Sequence, residues 1–179
     1  MSKQVIDACC LINFYGSGSQ RAILKSVGGF LIPEYVEQET LKIRMPSPDD
    51  EEVLVLTEID LTPEFNDSLL IRCPLEGEAE QENFIVFASE LDDGEAACLA
   101  IAKNRDLVVA TDDRKAIRIA SEADIETIST PRLLKNWIES ESISSDLAAA
   151  TLLNIEQNAK FKLKASHELY EWWQSTLDV

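Results

Sequence analysis

The chain has 179 residues, 45% of them apolar, enough for one sizeable core and too many for a disordered polymer. Sixteen Lys and Arg against thirty-three Asp and Glu leave a net charge of −17. That excludes a generic attraction to phosphate backbones, so a nucleic-acid role would have to rest on a local basic patch or on metal ions.

A single histidine, His167, excludes a multi-histidine metal centre. Cys9, Cys10, Cys73 and Cys98 have neither metal-ligand spacing along the chain nor the pattern of a secreted disulfide framework. Cys9, Cys10 and Cys98 lie in apolar segments and read as reduced core residues. No run reaches the ~20 apolar residues of a membrane span. Met1 to Gln4 leads into a strand without a signal-peptide pattern, which makes the cytoplasm the expected compartment.

In chain order, Gln4-Val5-Ile6 predicts a strand ending at Asp7, and Cys9 to Tyr15 a short helix closed by Gly16-Ser17-Gly18. That glycine pair follows a helix and lacks a third glycine, so it does not make a dinucleotide loop. A helix is expected over Gln20 to Val27, a buried strand at Phe30-Leu31-Ile32, and a helix from Pro33 to about Ile43. Arg44 to Glu52, with Pro46, Pro48 and four consecutive acids, reads as an exposed break. Val53 to Leu56 suits a strand, residues 57 to 75 give no clear assignment, and an acidic helix is expected over Glu78 to Leu91.

Asp92 or Asp93 then caps a helix rich in alanine, and Leu107-Val108-Val109-Ala110 has the non-alternating pattern of a parallel strand covered on both faces. Arg114 to Ala120 reads as a helix and Ile125 to Ile128 as a last strand. Strands alternating with helices predict a parallel α/β sheet. Beyond Pro131 the pattern turns helical. Leu133, Leu134, Trp137 and Ile138 share one face, Ser144 or Ser145 caps a second helix, and Leu169, Tyr170, Trp172 and Trp173 mark a third. This end reads either as a flap docked on the core or as a contact for a second copy or partner.

Four acidic positions fall at corresponding places: Asp7 after the first strand, Glu39 after the second, Glu95 at a helix start, and Asp113, with Asp112, after the strand at 107. Each has an ordinary alternative. Glu95 can complete a capping box begun by Asp92, Asp112 or Asp113 can cap the next helix, and Glu39 can be a solvated face residue. Asp7 is the hardest to account for structurally, since it follows what should be the central strand. Ligands of open α/β sheets bind beyond the carboxyl ends of the strands. A ring of carboxylates there needs cations or protons, and hard oxygen donors without histidine or thiolate specify Mg²⁺ or Mn²⁺. Such a site suits in-line displacement at a phosphodiester.

Four blocks, Val5-Ile6-Asp7, Leu31 to Glu39, Leu91 to Ala96 and Thr111 to Ala116, resemble the successive motifs of PIN domains, most closely those of prokaryotic VapC-like toxin ribonucleases. The resemblance implies a three-layer α/β/α fold with a central parallel sheet over residues 1–130. A C-terminal helical extension over 131–179 would pack on the domain or at a dimer interface. It also implies RNA cleavage with Mg²⁺ or Mn²⁺, a homodimer and a cognate antitoxin. Carried over by motif, the quartet is Asp7, Glu39, Glu95 and Asp113, with Asp112 as the alternate fourth ligand. Thr111 matches the hydroxyl residue before the last aspartate. Arg114, Lys115 and Arg118 follow directly and are the expected phosphate-holding residues; a solvated basic helix face is their bland alternative. Two departures stand out: Cys9, a weak hydrogen bonder, replaces the family's usual Ser, Thr or Asn, and Glu95 replaces an Asp. One rival expectation is a non-catalytic module of the same fold that holds a basic protein on its acidic surface. A phosphotransfer domain would want an aspartate where Cys9 stands.

Overall fold

The computed structural model describes residues 4–39, 41–47, 49–50 and 53–178. Its centre is a five-stranded sheet in which every pairing is parallel: β1 (Gln4–Ile6), β2 (Phe30–Ile32), β5 (Leu70–Arg72), β6 (Val108–Ala110) and β7 (Thr127–Ile128), in the order β5-β2-β1-β6-β7. Val5, Ile6, Phe30, Ile32, Val109 and Ala110 are buried, as short apolar strands covered on both faces should be. With helices flanking the sheet, the layers are α/β/α.

The order of the strands fixes where a site can be. The chain winds from β1 out through β2 to β5 on one side, then returns to build β6 and β7 on the other. The direction of winding therefore reverses between β1 and β6, where Ile6 pairs with Ala110. At such a switch point the connections diverge and leave a crevice beyond the carboxyl ends of the strands. Asp7 and Thr111 are the next residues on those two strands.

Two helices frame the crevice. One is α1 (Ala8–Ser17), which starts directly after β1. The other is α6 (Asp93–Arg105), whose run from Ala96 to Ala102 is wholly buried. Its alanines present little bulk, so the helix lies close to the sheet and to α5 (Gly77–Ala88). The remaining framework is α2 (Gln20–Val27), α3 (Glu34–Gln38), α4 (Thr62–Asn66) and α7 (Arg114–Glu122).

Three segments differ from the sequence-based expectation. The helix after Pro33 stops at Gln38, and Glu39 is already extended (φ −68°, ψ 140°). Lys42–Pro46 forms β3 and pairs antiparallel with β4 (Leu54–Glu58), so the expected helix end and the start of the expected break are one arm of a hairpin. Pairing to β4 satisfies its backbone, which periodicity within Lys42–Pro46 does not reveal. Thr40, Pro48, Glu51 and Glu52 of these expected segments lie outside the described residues. The unassigned stretch 57–75 holds the end of β4, α4 and the sheet-edge strand β5. α5 also ends earlier than expected, at Ala88.

After β7 come α8 (Thr130–Ser140), α9 (Ser145–Asn154), a π-helical turn (Ile155–Ala159) and α10 (Tyr170–Leu177). α8 packs on α2 and α1, and α9 with its π turn on α1. Gly16 makes this contact possible. A Cβ there would stand 2.9 Å from Ala159 Cβ, and Asn158 Nδ2 donates to the Gly16 carbonyl at 2.9 Å. Trp173 is fully buried; its indole donates to Glu156 Oε1 at 2.9 Å and its ring meets Phe161 at 5.7 Å. No helix among the described residues is long and apolar enough to cross a membrane.

Candidate metal centre

Asp7 is placed by two elements at once. Its backbone N–H donates to the Ala110 carbonyl at 3.0 Å, extending the β1–β6 ladder by one bond, while its side chain caps α1. Oδ1 accepts from the Ala8 N–H at 2.7 Å; Oδ2 accepts from the Thr111 hydroxyl and from the Cys9 thiol, each at 2.9 Å. The thiol thus makes the contact that a hydroxyl or amide would make. The carboxyl is buried, and burial raises its pKa against the pull of these three donors.

Glu95 and Glu39 approach from α6 and from the end of α3. Burial first, then the charges of Asp92, Asp113 and Asp7, pushes Glu95 up to about 7. Burial, then Asp92 and Asp7, pushes Glu39 up to about 7 as well, although much of its side chain is open to solvent at the rim. Glu39 comes close because α6 carries Gly94 at the point of approach. A Cβ on Gly94 would stand 2.1 Å from Glu39 Oε1. Asp92 caps α6 by accepting from the Glu95 N–H at 2.9 Å, and its charge acts on Asp7, Glu39 and Glu95 alike. The sequence marks Asp92 only as a cap. Its second role follows from the packing of α3 against α6.

The adjacent aspartates part ways. Asp113 caps α7, with Oδ1 accepting from the Lys115 and Ala116 N–H groups at 2.7 and 2.9 Å, and its charge reaches Glu95. Asp112 turns into the protein. Oδ1 accepts from the Thr130 N–H at 2.9 Å, and Oδ2 from Asn13 Nδ2 at 3.0 Å and the Cys10 thiol at 3.6 Å. It thereby ties α1 to the start of α8. Asn13 and Thr130, which carry no motif signal, become legible only once α1, β6 and α8 are adjacent.

Among the described residues, Asp7, Glu39, Asp92, Glu95 and Asp113 form no ion pair with Lys or Arg. Asp92 and Asp7 act on both glutamates and Asp113 acts on Glu95, so these charges add to burial, the larger cause, in raising Glu39 and Glu95. The donor set is all oxygen and suits a hard divalent cation. These carboxylates do not close on one point: among the described residues, the group whose donor atoms all lie within 4.8 Å of one another is a different one, Cys9 Sγ, Cys10 Sγ and an Asp112 oxygen. The spacing along the chain gave no sign of it. The Asp112 oxygens are already bonded, and burial holds the Cys10 thiol well above its ordinary range, so this trio reads as a hydrogen-bonded support behind Asp7.

The expected phosphate-holding residues are not equivalent. Arg118 is paired with Glu122 at 2.7 Å and Glu90 at 3.2 Å, and the Lys115 ammonium donates to the Glu90 carbonyl. Arg114 forms no ion pair or side-chain hydrogen bond among the described residues and faces a cavity beside Asp113.

No curated protein and no solved structure matches this chain. A family model does: that of DUF3368, a PIN domain, over residues 3–171, a span running from β1 into α10. PIN domains are nuclease-like modules that typically use divalent metal ions, in keeping with carboxylates that have no Lys or Arg partner among the described residues at the switch point of the sheet. The chain belongs to the PIN-domain family.

Proposed function

We propose that this protein is a metal-dependent ribonuclease whose catalytic carboxylates are Asp7, Glu39, Glu95 and Asp113, with Asp92 contributing to the same cluster. The observation that carries the reading is the placement of Asp7, Glu39, Asp92, Glu95 and Asp113 near enough for their charges to act on one another, none ion-paired among the described residues, at the switch point between β1 and β6. The all-oxygen donor set favours Mg²⁺ or Mn²⁺. When bound, such a cation lowers the pKa of water and neutralises charge on a phosphodiester.

The protein's own residues have distinct tasks. Asp7 anchors the cluster, held in one orientation by Ala8, Cys9 and Thr111. Asp113 has one carboxylate oxygen committed to the α7 cap and the other uncommitted, whereas Asp112 has both engaged; this supports Asp113 as the fourth ligand. Glu39 and Glu95, with pKa values near 7, must lose their protons before the cluster can hold a cation, and either can exchange a proton near neutral pH. Arg114 is the cation best placed to meet a phosphate, with Lys115 and Arg118 flanking it along α7.

The test is cleavage of RNA by the purified protein with Mg²⁺ or Mn²⁺, against EDTA and against Asp7→Asn. Activity that survives both controls overturns the reading. The likeness of the four motif blocks to VapC-like proteins extends the proposal to the toxin of a toxin–antitoxin pair acting as a cytoplasmic homodimer. A small basic protein encoded beside it and co-purifying with it, and twice the monomer mass in solution, are the results that extension requires.

A further inference from the structure

The residues from Lys160 to His167 are, with Arg114 to Arg118, one of two strongly basic stretches in an otherwise acidic chain: three lysines in five positions and no Asp or Glu between Glu156 and Glu168. They belong to no helix or strand, yet their burial alternates. Phe161 and Leu163 pack against the core, while Lys160, Lys162 and Lys164 are exposed. Period-two burial puts the lysines on one side of the segment. The segment is held at both ends, by the Gly16–Ala159 contact before it and by buried Leu169 and Trp173 after it.

This anchoring sets the segment against the metal centre. Phe161, Lys162, Leu163, Lys164, Ser166 and His167 form one wall of a cavity of about 500 Å³; Asp112, Asp113, Arg114, Ile117 and Ser129 form the other. Cavities of this size accommodate small ligands of roughly nucleotide dimensions. Among the described residues, Lys162, Lys164 and Arg114 have no ion pair and no side-chain hydrogen bond, whereas Arg21, Arg72, Arg105, Arg118, Arg132 and Lys135 are all paired with acids. His167 Nδ1 accepts from the Leu169 N–H at 3.0 Å, which fixes the ring. Three cations without an ion pair among the described residues thus line one cavity with Asp113, whereas Lys25, Lys42, Arg44 and Lys160, also without one, lie outside it.

We propose that this cavity is the site for the strand of substrate RNA next to the scissile phosphate, with Lys162, Lys164 and Arg114 holding its phosphates and Phe161 and Leu163 the apolar floor beneath one nucleotide. The proposal rests on the ribonuclease reading for the identity of its ligand. It answers the difficulty posed by the net charge: the five carboxylates repel RNA, and a fixed local cluster of cations offsets that repulsion where the strand must lie. A cavity lined by both cations and apolar side chains suits a single strand, whose phosphates and unstacked bases are both accessible.

The test measures binding apart from cleavage. A labelled single-stranded RNA oligonucleotide is titrated with the full-length protein in EDTA, at several salt concentrations, and followed by fluorescence anisotropy. The double variant Lys162→Gln/Lys164→Gln is compared with wild type and with Lys25→Gln on the exposed face of α2. The expected result is at least about tenfold weaker binding for the double variant. Its salt dependence should be lowered by about 1.4, two phosphate contacts at ~0.7 each. Mn²⁺ binding by calorimetry, thermal unfolding and the Lys25→Gln variant should be unchanged. Equal affinity and equal salt slope for wild type and double variant overturn the proposal. So does binding of an acidic polypeptide such as polyglutamate, lost in the double variant, by a protein that does not bind RNA. A wild type that binds RNA through these lysines but never cleaves it with any divalent ion refutes the ribonuclease reading and leaves the binding site standing.

Discussion

Glutamates at the two ends of α6 behave oppositely. Glu80 on α5 is buried against Arg105, which donates from Nε to Oε1 at 2.6 Å and from Nη2 to Oε2 at 2.8 Å; this pairing holds the Glu80 carboxyl below its ordinary range. Arg105 also reaches the Pro74 carbonyl and Glu76, so the pair clamps the start of α5 to the end of α6. Glu39 and Glu95 sit at the other end of α6, are pushed up to about 7, and meet only other acids. One end of the helix is neutralised by the protein itself. The other has no Lys or Arg partner among the described residues, and on the proposed reading a divalent cation neutralises it.

The sharpest way to break this comparison is Asp7→Asn. Its backbone partners can be kept by the amide, so thermal unfolding of the metal-free protein should change little. RNA cleavage should fall by more than ~100-fold, since even residues that only support a metal ligand contribute 10–100-fold. Cleavage and Mn²⁺ binding are the measurements, and retained cleavage would return Asp7 to the role of a helix cap.

Metal and pH probe the same contrast through stability. At 100 times its dissociation constant, Mn²⁺ should stabilise the fold by about 2.7 kcal/mol, visible as a higher Tm and reversed by EDTA. The sign with pH follows from the raised glutamates. The folded metal-free protein binds protons that the unfolded chain has already lost, so their contribution is fully present below the ordinary glutamate pKa and disappears as pH rises through about 7. In EDTA the Tm contribution of these groups should therefore decline from pH 5 to 8. With Mn²⁺ present the metal-induced gain should instead grow over the same interval, because the cation must displace those protons. A metal-induced gain that does not vary with pH would remove the two glutamates from the site.

Glu80→Gln attacks the neutralised end. It removes a charged hydrogen-bond partner from Arg105 and should lower stability by about 2 kcal/mol, measured by urea unfolding, while Mn²⁺ affinity and cleavage stay near wild type. Loss of metal binding in this variant would mean that the two ends of α6 are not independent. The smallest effect is expected from Gly94→Ala. Alanine favours the helix by up to ~1 kcal/mol, yet its Cβ occupies the position of Glu39 Oε1 and must move that carboxylate. Mn²⁺ affinity should drop by about tenfold with stability kept, a combination that separates positioning of Glu39 from folding.

The central sheet could be read from the sequence because its signals are local. Val5-Ile6, Phe30-Leu31-Ile32 and Val108-Val109-Ala110 are short apolar runs between helices, a pattern that specifies buried parallel strands wherever they pair. Asp7, Glu95 and Asp113 stand at the ends of such elements and Glu39 was expected on a helix; the four were joined into one quartet by their likeness to the PIN-domain motifs. The β3–β4 hairpin was not, because Lys42–Pro46 acquires its strand conformation from backbone bonds to residues some ten positions away. Nor was β5, a three-residue strand at the sheet's edge with only Leu70 buried.

What the sequence by itself determined is four of the sheet's five strands, most of the helices and an acidic chain with carboxylates near the strand ends, since strand length, apolar pattern and capping chemistry act within a few residues. Tertiary structure alone decided the rest. Pairing of Ile6 with Ala110 carries Asp7 to Thr111; the close approach of α3 to Gly94 adds Glu39 and turns the capping residue Asp92 into a fifth acid. Folding of the tail onto Gly16 sets Lys162 and Lys164 across a cavity from Asp113. Electrostatic coupling depends on distance in space, and no pattern along the chain encodes which distant carboxylates share one crevice or which of them a cation of the protein neutralises.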